Sequence, residues 1–172
     1  MTISILSNIF RFFLLIAVQV LVLNNVGLAG FVNPYLYLLF IIALPFEIGP
    51  IWVLLLSFIT GLSVDVFSDS LGMHAAATTF MGLSRIYILK ILEPRDGYQG
   101  NTSPTIKDMG FEWFIAYALI LVFLHHFVYF FIEVFRFQEI LQIILRIILS
   151  VIFTLFLIVI SQYLFLKTEE RK

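Results

Sequence analysis

Residues 51–89 read IWVLLLSFITGLSVDVFSDSLGMHAAATTFMGLSRIYIL. Two apolar runs, 51–67 and 71–89, are parted only by Ser68-Asp69-Ser70. A helix rises about 1.5 Å per residue, so about 20 mostly apolar residues cross roughly 30 Å of hydrocarbon, and both runs pass. Ser57 with Gly61, Gly72 with Ala76, and Thr78 with Gly82 each lie four apart, the spacing that lets transmembrane helices approach closely. The stretch therefore predicts a tight helical hairpin inside a membrane, turning at Asp69.

The rest of the chain agrees. Of 172 residues 62% are hydrophobic and 12% charged, and mean hydropathy is +1.08. Soluble domains run near 45–50% apolar and about 25% charged. A formal net charge of −1 gives no basic field for nucleic acid. The absence of cysteine excludes disulfides, a thiol nucleophile and thiolate metal sites.

Three further apolar runs reach spanning length: Ile5 to about Val26, Trp113 to Ile132, and Ile140 to Leu166. A sixth, Phe31 to Phe46, is short, with Pro34 suited to a first helical turn and Pro45 and Pro50 breaking the chain behind it. The expected fold is all-α: a polytopic six-helix transmembrane bundle with a short second helix, or five spans if that helix is re-entrant. Residues 1–172 form a single integral membrane domain. Arg11 and the small residues Gly27-Leu28-Ala29 resemble a secretory signal, but several spans and no domain for export follow, so the first segment reads as a retained helix.

Cation placement orients the bundle. With both termini cytoplasmic, Arg11, Lys90, Arg95, Lys107, Lys167, Arg171 and Lys172 lie inside and only Arg136 outside, while Arg85 and Arg146 fall within spans. The loop Glu93 to Glu112 is then a cytoplasmic linker or docking loop, where the sequon at Asn101 has no meaning. The opposite loops are too small for an enzyme domain.

Ionisable residues inside spans invite functional readings. Asp65, His74, His125 and Arg146 fall at similar depths in the outer half, a candidate polar cluster. Arg146 either pairs with Asp65 or snorkels to headgroups; Arg85, five residues from Lys90, is expected to snorkel. His125 and His126 point about 100° apart on a helix, so both cannot face one metal ion, and a packed, hydrogen-bonded histidine is expected. Ser84 and Ser150 read as ordinary helix residues bonding back to the preceding turn. In the fifth span, Trp113 and Tyr129 read as interface anchors and the many Phe residues as lipid or partner-helix contacts. No nucleophile elbow, P-loop, H-E-x-x-H or Gly-rich dinucleotide turn is present, so no catalytic residue, cofactor or metal is assigned.

The pattern Gly61-Leu62-x-x-Asp65 closing one span, then a short turn, Leu71-Gly72 and a new span, resembles the bacterial rod shape-determining protein MreD family. The resemblance implies a non-enzymatic scaffold of the cell-elongation, peptidoglycan-synthesising machinery in the bacterial inner membrane. It implies association with MreC, the actin-like MreB, a RodA-type glycan polymerase and a penicillin-binding transpeptidase. It also implies a fold similar to the substrate-binding subunits of energy-coupling-factor vitamin transporters, with Gly61, Leu62, Asp65, Leu71 and Gly72 as structural or partner-facing positions. A solute-binding transporter subunit is the competing reading, for which the outer polar cluster would supply the site.

Overall fold

The computed structural model describes residues 2–25, 32–98, 102–134 and 140–169. Arg136, Glu139, Asn101, Gly27-Leu28-Ala29, Arg171 and Lys172 lie outside the described residues, as does the side chain of Lys167.

The described residues form helices α1 (Thr2–Leu21), α2 (Leu39–Ile42), α3 (Pro50–Ser68), α4 (Met73–Ile91), α5 (Ile106–Met109), α6 (Phe111–Val134) and α7 (Ile140–Glu169). Single 3₁₀ turns, Leu23–Asn25 and Leu36–Leu38, extend α1 and lead into α2. Four stretches are long and apolar enough to cross a membrane: Leu6–Asn25, Pro50–Ser68, Phe111–Val134 and Leu141–Leu164. The chain is a helical membrane protein. α4 matches α3 in length but carries His74, Arg85 and Lys90, and it lies between α3 and α6, while α7 packs on α6 and α1 on α3.

The hairpin forms where the small residues allow. A Cβ on Gly61 would sit 2.5 Å from Ala75 Cα and His74 O, and one on Gly82 would run into the Ser57 hydroxyl. Gly72 is different: a Cβ there meets nothing within 4 Å, and its φ of +88° marks a left-handed backbone position. The expectation that Gly72 mediates close packing is corrected; it is needed for chain direction.

The short second segment is the centre of the molecule. Every residue from Tyr35 to Leu44 is buried. A broken helix without water must find partners for its free N–H and C=O groups. They come from side chains of four surrounding helices. At its start, Asn33 N donates to Ser150 Oγ and Tyr35 N to Thr154 Oγ1, both at 3.0 Å, and Gln19 donates to Pro34 O at 3.1 Å. At its end, Tyr117 donates to Ile42 O, Arg11 to Ala43 O at 3.2 Å, and Arg85 to Leu44 O at 2.5 Å and Pro45 O at 3.3 Å. Cations at a helix C-terminus also complement its dipole.

Two expectations fall here. Arg85 does not snorkel: it is 2% exposed, drawn inward to the carbonyls of Leu44 and Pro45 at the end of the central segment. Ser150 does not simply bond back along α7; it accepts from Asn33 N. Ser84 does bond back, to Phe80 O.

Aromatic residues on α6 divide by face. Phe123, Phe127 and Phe131 form an exposed stacked stripe, whereas Phe114, Tyr117 and Phe130 are fully buried. Tyr129 is not an interface anchor; it is buried against His74, with ring centroids 4.4 Å apart. At the opposite end of the bundle, the Trp113 indole donates to Leu92 O at 2.9 Å. Tyr98 stacks on Phe46 and donates to Leu89 O at 2.7 Å. Partial burial, with the Glu93 carboxylate nearby, pushes the Tyr98 phenol up to about 12, so this donor keeps its proton at neutral pH.

Candidate functional site

The α3–α4 turn is built around Asp65. Its Oδ1 accepts from the Ser70 hydroxyl at 2.5 Å and from His74 N at 3.0 Å, and its Oδ2 from Ala75 N at 2.8 Å. The first N–H groups of α4 have no partners within their own helix, and a carboxylate there meets both those donors and the positive end of the dipole. Asp65 therefore caps α4 from the preceding helix, across the turn. The Asp65–Arg146 pair entertained from the sequence does not form. Arg146 Nη1 instead lies 3.0 Å from Glu133 Oε2, with Nη2 donating to Glu133 Oε1 at 3.4 Å, and its guanidinium sits 4.6 Å from the Phe130 ring centroid. The carboxylate of Asp65 is already occupied by three donors, and Glu133, on the facing helix α6, is the one that meets Arg146.

The remaining turn residues point outward. Leu62 is 41% exposed and Leu71 is 99% exposed. Asp69 and Leu71 both adopt positive φ, 50° and 49°, where non-glycine residues pay a steric penalty. A leucine held in this conformation with its whole side chain free is a local strain that Asp65 locks in place from behind.

Below the turn lies a buried polar network. The Tyr37 hydroxyl sits within hydrogen-bond distance of His125 Nε2 (2.8 Å), His74 Nδ1 (3.0 Å) and Thr78 Oγ1 (3.2 Å). His126 turns away from His125, as the helical angle requires. Its Nδ1 donates to Val122 O at 2.8 Å, which leaves Nε2 to accept from the Thr154 hydroxyl at 3.3 Å. Both histidines are packed and bonded. Among the described residues no group of three or more His, Cys, Asp or Glu is placed to hold a metal.

Beside this network a cavity of about 530 Å³ opens at the same end of the bundle. His74, Tyr35, Tyr129 and Gln19 form buried parts of its lining; Asp69, Glu133 and Arg146 stand nearer the mouth. Of the cluster expected from the sequence, His74 and Arg146 line this cavity. Asp65 is tied into the turn and His125 into the network beneath. Gln19 was overlooked, although a lone glutamine in the apolar run of α1 was a visible signal. Tyr35 and Tyr37 were hidden in a segment read only for its length.

Compared with known proteins, this chain matches no family model, no curated protein and no solved structure, so the functional reading rests on its own residues.

Proposed function

We propose that this chain is a non-enzymatic membrane scaffold of the MreD type. In this reading it spans the bacterial inner membrane with six helices, α4 and the short central segment included, in an arrangement like that of energy-coupling-factor substrate-binding subunits. Both termini are cytoplasmic. It serves cell elongation and peptidoglycan synthesis by holding MreC, and through it MreB, a RodA-type polymerase and a penicillin-binding transpeptidase.

One observation carries the reading. The turn that bears the family-like residues is braced internally by Asp65 and offers Leu71, fully exposed on a left-handed backbone, to the outside. Internal bracing with an outward apolar side chain suits a rigid contact point for another protein. The test is affinity purification of the tagged chain in mild detergent, comparing it with Leu71→Asp. Recovery of MreC and cell-wall synthases, lost in the variant, supports the scaffold. Their absence from the unaltered chain overturns it.

The cavity favours a second reading, a solute-binding subunit of a small-molecule transporter, since its size lies within the roughly 300–1,000 Å³ of small-molecule sites. Recovery of an ATPase pair in the same purification would select it.

A further inference from the structure

The cavity at the α3–α4 turn has a floor of three rings in mutual contact. The ring centroids of Tyr35 and His74 lie 4.8 Å apart, those of His74 and Tyr129 4.4 Å, and those of Tyr35 and Tyr129 5.2 Å. Each of these residues is at most 7% exposed, and each lines the cavity. Their polar tips are not used by the protein. His74 meets Tyr37 through Nδ1 and Asp65 through its backbone N–H, while His74 Nε2 and the hydroxyls of Tyr35 and Tyr129 make no hydrogen bond among the described residues. None of these three atoms is among those sealed from solvent without a partner, so each reaches the cavity surface. Gln19 Oε1 and Arg146 Nε, by contrast, are sealed and take no part. Charge stands above the floor. The charged side chains lining the cavity are Asp69, Glu133 and Arg146, and Arg146 is held by Glu133, so Asp69 is left as one uncompensated negative charge at the mouth.

We propose that this cavity binds a protonated amine, one ammonium group with N–H bonds to donate. The Asp69 carboxylate supplies its counter-charge, and the free hydroxyl oxygens of Tyr35 and Tyr129 accept its N–H groups. Attraction between such charges strengthens where water is partly excluded. An anion would meet Asp69 unscreened, and a neutral ligand gains nothing from that charge. A quaternary ammonium has no N–H and depends on open ring faces. Those faces are covered here: His126 stacks on Tyr35 at 5.1 Å between centroids, and His125 stacks on Tyr129 at 6.2 Å, with His74 at 4.4 Å. A bare metal ion fits no better, because the described residues place no group of three or more His, Cys, Asp or Glu to hold one, and a cavity of about 530 Å³ has room for an organic ligand. The inference rests on the cavity and not on the scaffold reading, so failure of one leaves the other standing. It gives the second reading its substrate class.

The ligand chemistry has two sources, a free amine and the ethanolamine headgroup of a lipid. The experiment follows thermal unfolding of the full chain in detergent as ethanolamine or butylamine is added at neutral pH and constant ionic strength. Choline, magnesium chloride and ethylene glycol are the controls, and nanodiscs of phosphatidylcholine with and without phosphatidylethanolamine supply the lipid-borne form. We expect a saturable upward shift with a primary amine or with phosphatidylethanolamine, as binding to the folded state requires. The responding arm identifies the source. Tyr35→Phe combined with Tyr129→Phe removes hydroxyls that bond nothing among the described residues, and Asp69→Asn suits the left-handed backbone at that exposed position, so both variants should retain the ligand-free unfolding profile. Asp69→Asn should weaken amine binding about tenfold or more, and the Tyr pair about threefold or more, as the loss of charged and neutral hydrogen bonds does. If the Tyr pair lowers stability, Asp69→Asn and the choline comparison decide. No saturable shift in either arm, an equal response to choline or magnesium, or a response that Asp69→Asn or a stably folded Tyr pair leaves unaltered would each overturn the proposal.

Discussion

Asp65 shows how one side chain can be prominent in a sequence for the wrong reason. A carboxylate near the end of an apolar run, and an arginine at matching depth, suggest an ion pair; the structure gives each a different partner. The consequence is quantitative. Replacing Asp65 by Ala removes an acceptor from Ser70, His74 N and Ala75 N, and hydrogen bonds to a charged group are worth about 1.5–3 kcal/mol, so a loss of about that size is expected. Arg146→Met should cost less, because the Arg146–Glu133 pair is partly exposed and such pairs contribute about 0–1 kcal/mol. Unfolding in detergent of Asp65→Ala, Arg146→Met and the double variant should give losses that add within about 0.5 kcal/mol. A coupling well above that would mean that Asp65 and Arg146 interact after all. Depth was legible from counting residues along helices. Partnership was not, because which carboxylate faces Arg146 depends on rotations of α3 and α6 about their own axes.

Among the elements, the α3–α4 hairpin was the most legible and the central segment the least. Four-residue spacing of small side chains announces close helices, and Gly61 and Gly82 meet that description. Gly72 has the same spacing for another reason, and substitutions separate the two. Gly61→Ala forces a methyl onto the backbone of α4 and should cost about 1–3 kcal/mol, as overpacking does. Gly72→Asn, in open space at φ +88°, should stay within about 0.5 kcal/mol, since asparagine enters that conformation readily. Melting curves of the two variants test this, and equal losses would refute the distinction. The central segment was read from its length and prolines alone, so its burial and its dependence on Arg11, Gln19, Tyr117 and Arg85 were invisible. These contacts join residues far apart in the chain, and no local pattern encodes them. Arg85→Met should leave the buried carbonyl of Leu44 without its donor, while Pro45 O keeps the backbone N–H of Ile48, at about 1–3 kcal/mol for an unsatisfied group. An unchanged melting temperature would show that another donor can reach the Leu44 carbonyl.

For the whole molecule the open question is which way the bundle faces, and α4 decides it. α4 has 19 residues, so its ends are about 28 Å apart, nearly the thickness of the hydrocarbon core. Its hydropathy is diluted by His74 and Arg85, yet both are buried by α3, α6 and the central segment, so the face that α4 offers to lipid is more apolar than its composition. If α4 spans, the Leu71 turn and the Glu93–Glu112 loop lie on opposite sides, and the cations Lys90, Arg95 and Lys107 put the loop in the cytoplasm. The absence of native cysteines makes single labels clean. Ser70 is unsuitable, being buried and bonded to Asp65, whereas Leu71 is fully exposed. In intact spheroplasts a membrane-impermeant maleimide should label Leu71→Cys, and should label Ser103→Cys only after permeabilisation. Labelling of both from the same side would mean that α4 does not cross, and labelling of Ser103→Cys alone would invert the orientation and place the polar cavity on the cytoplasmic side.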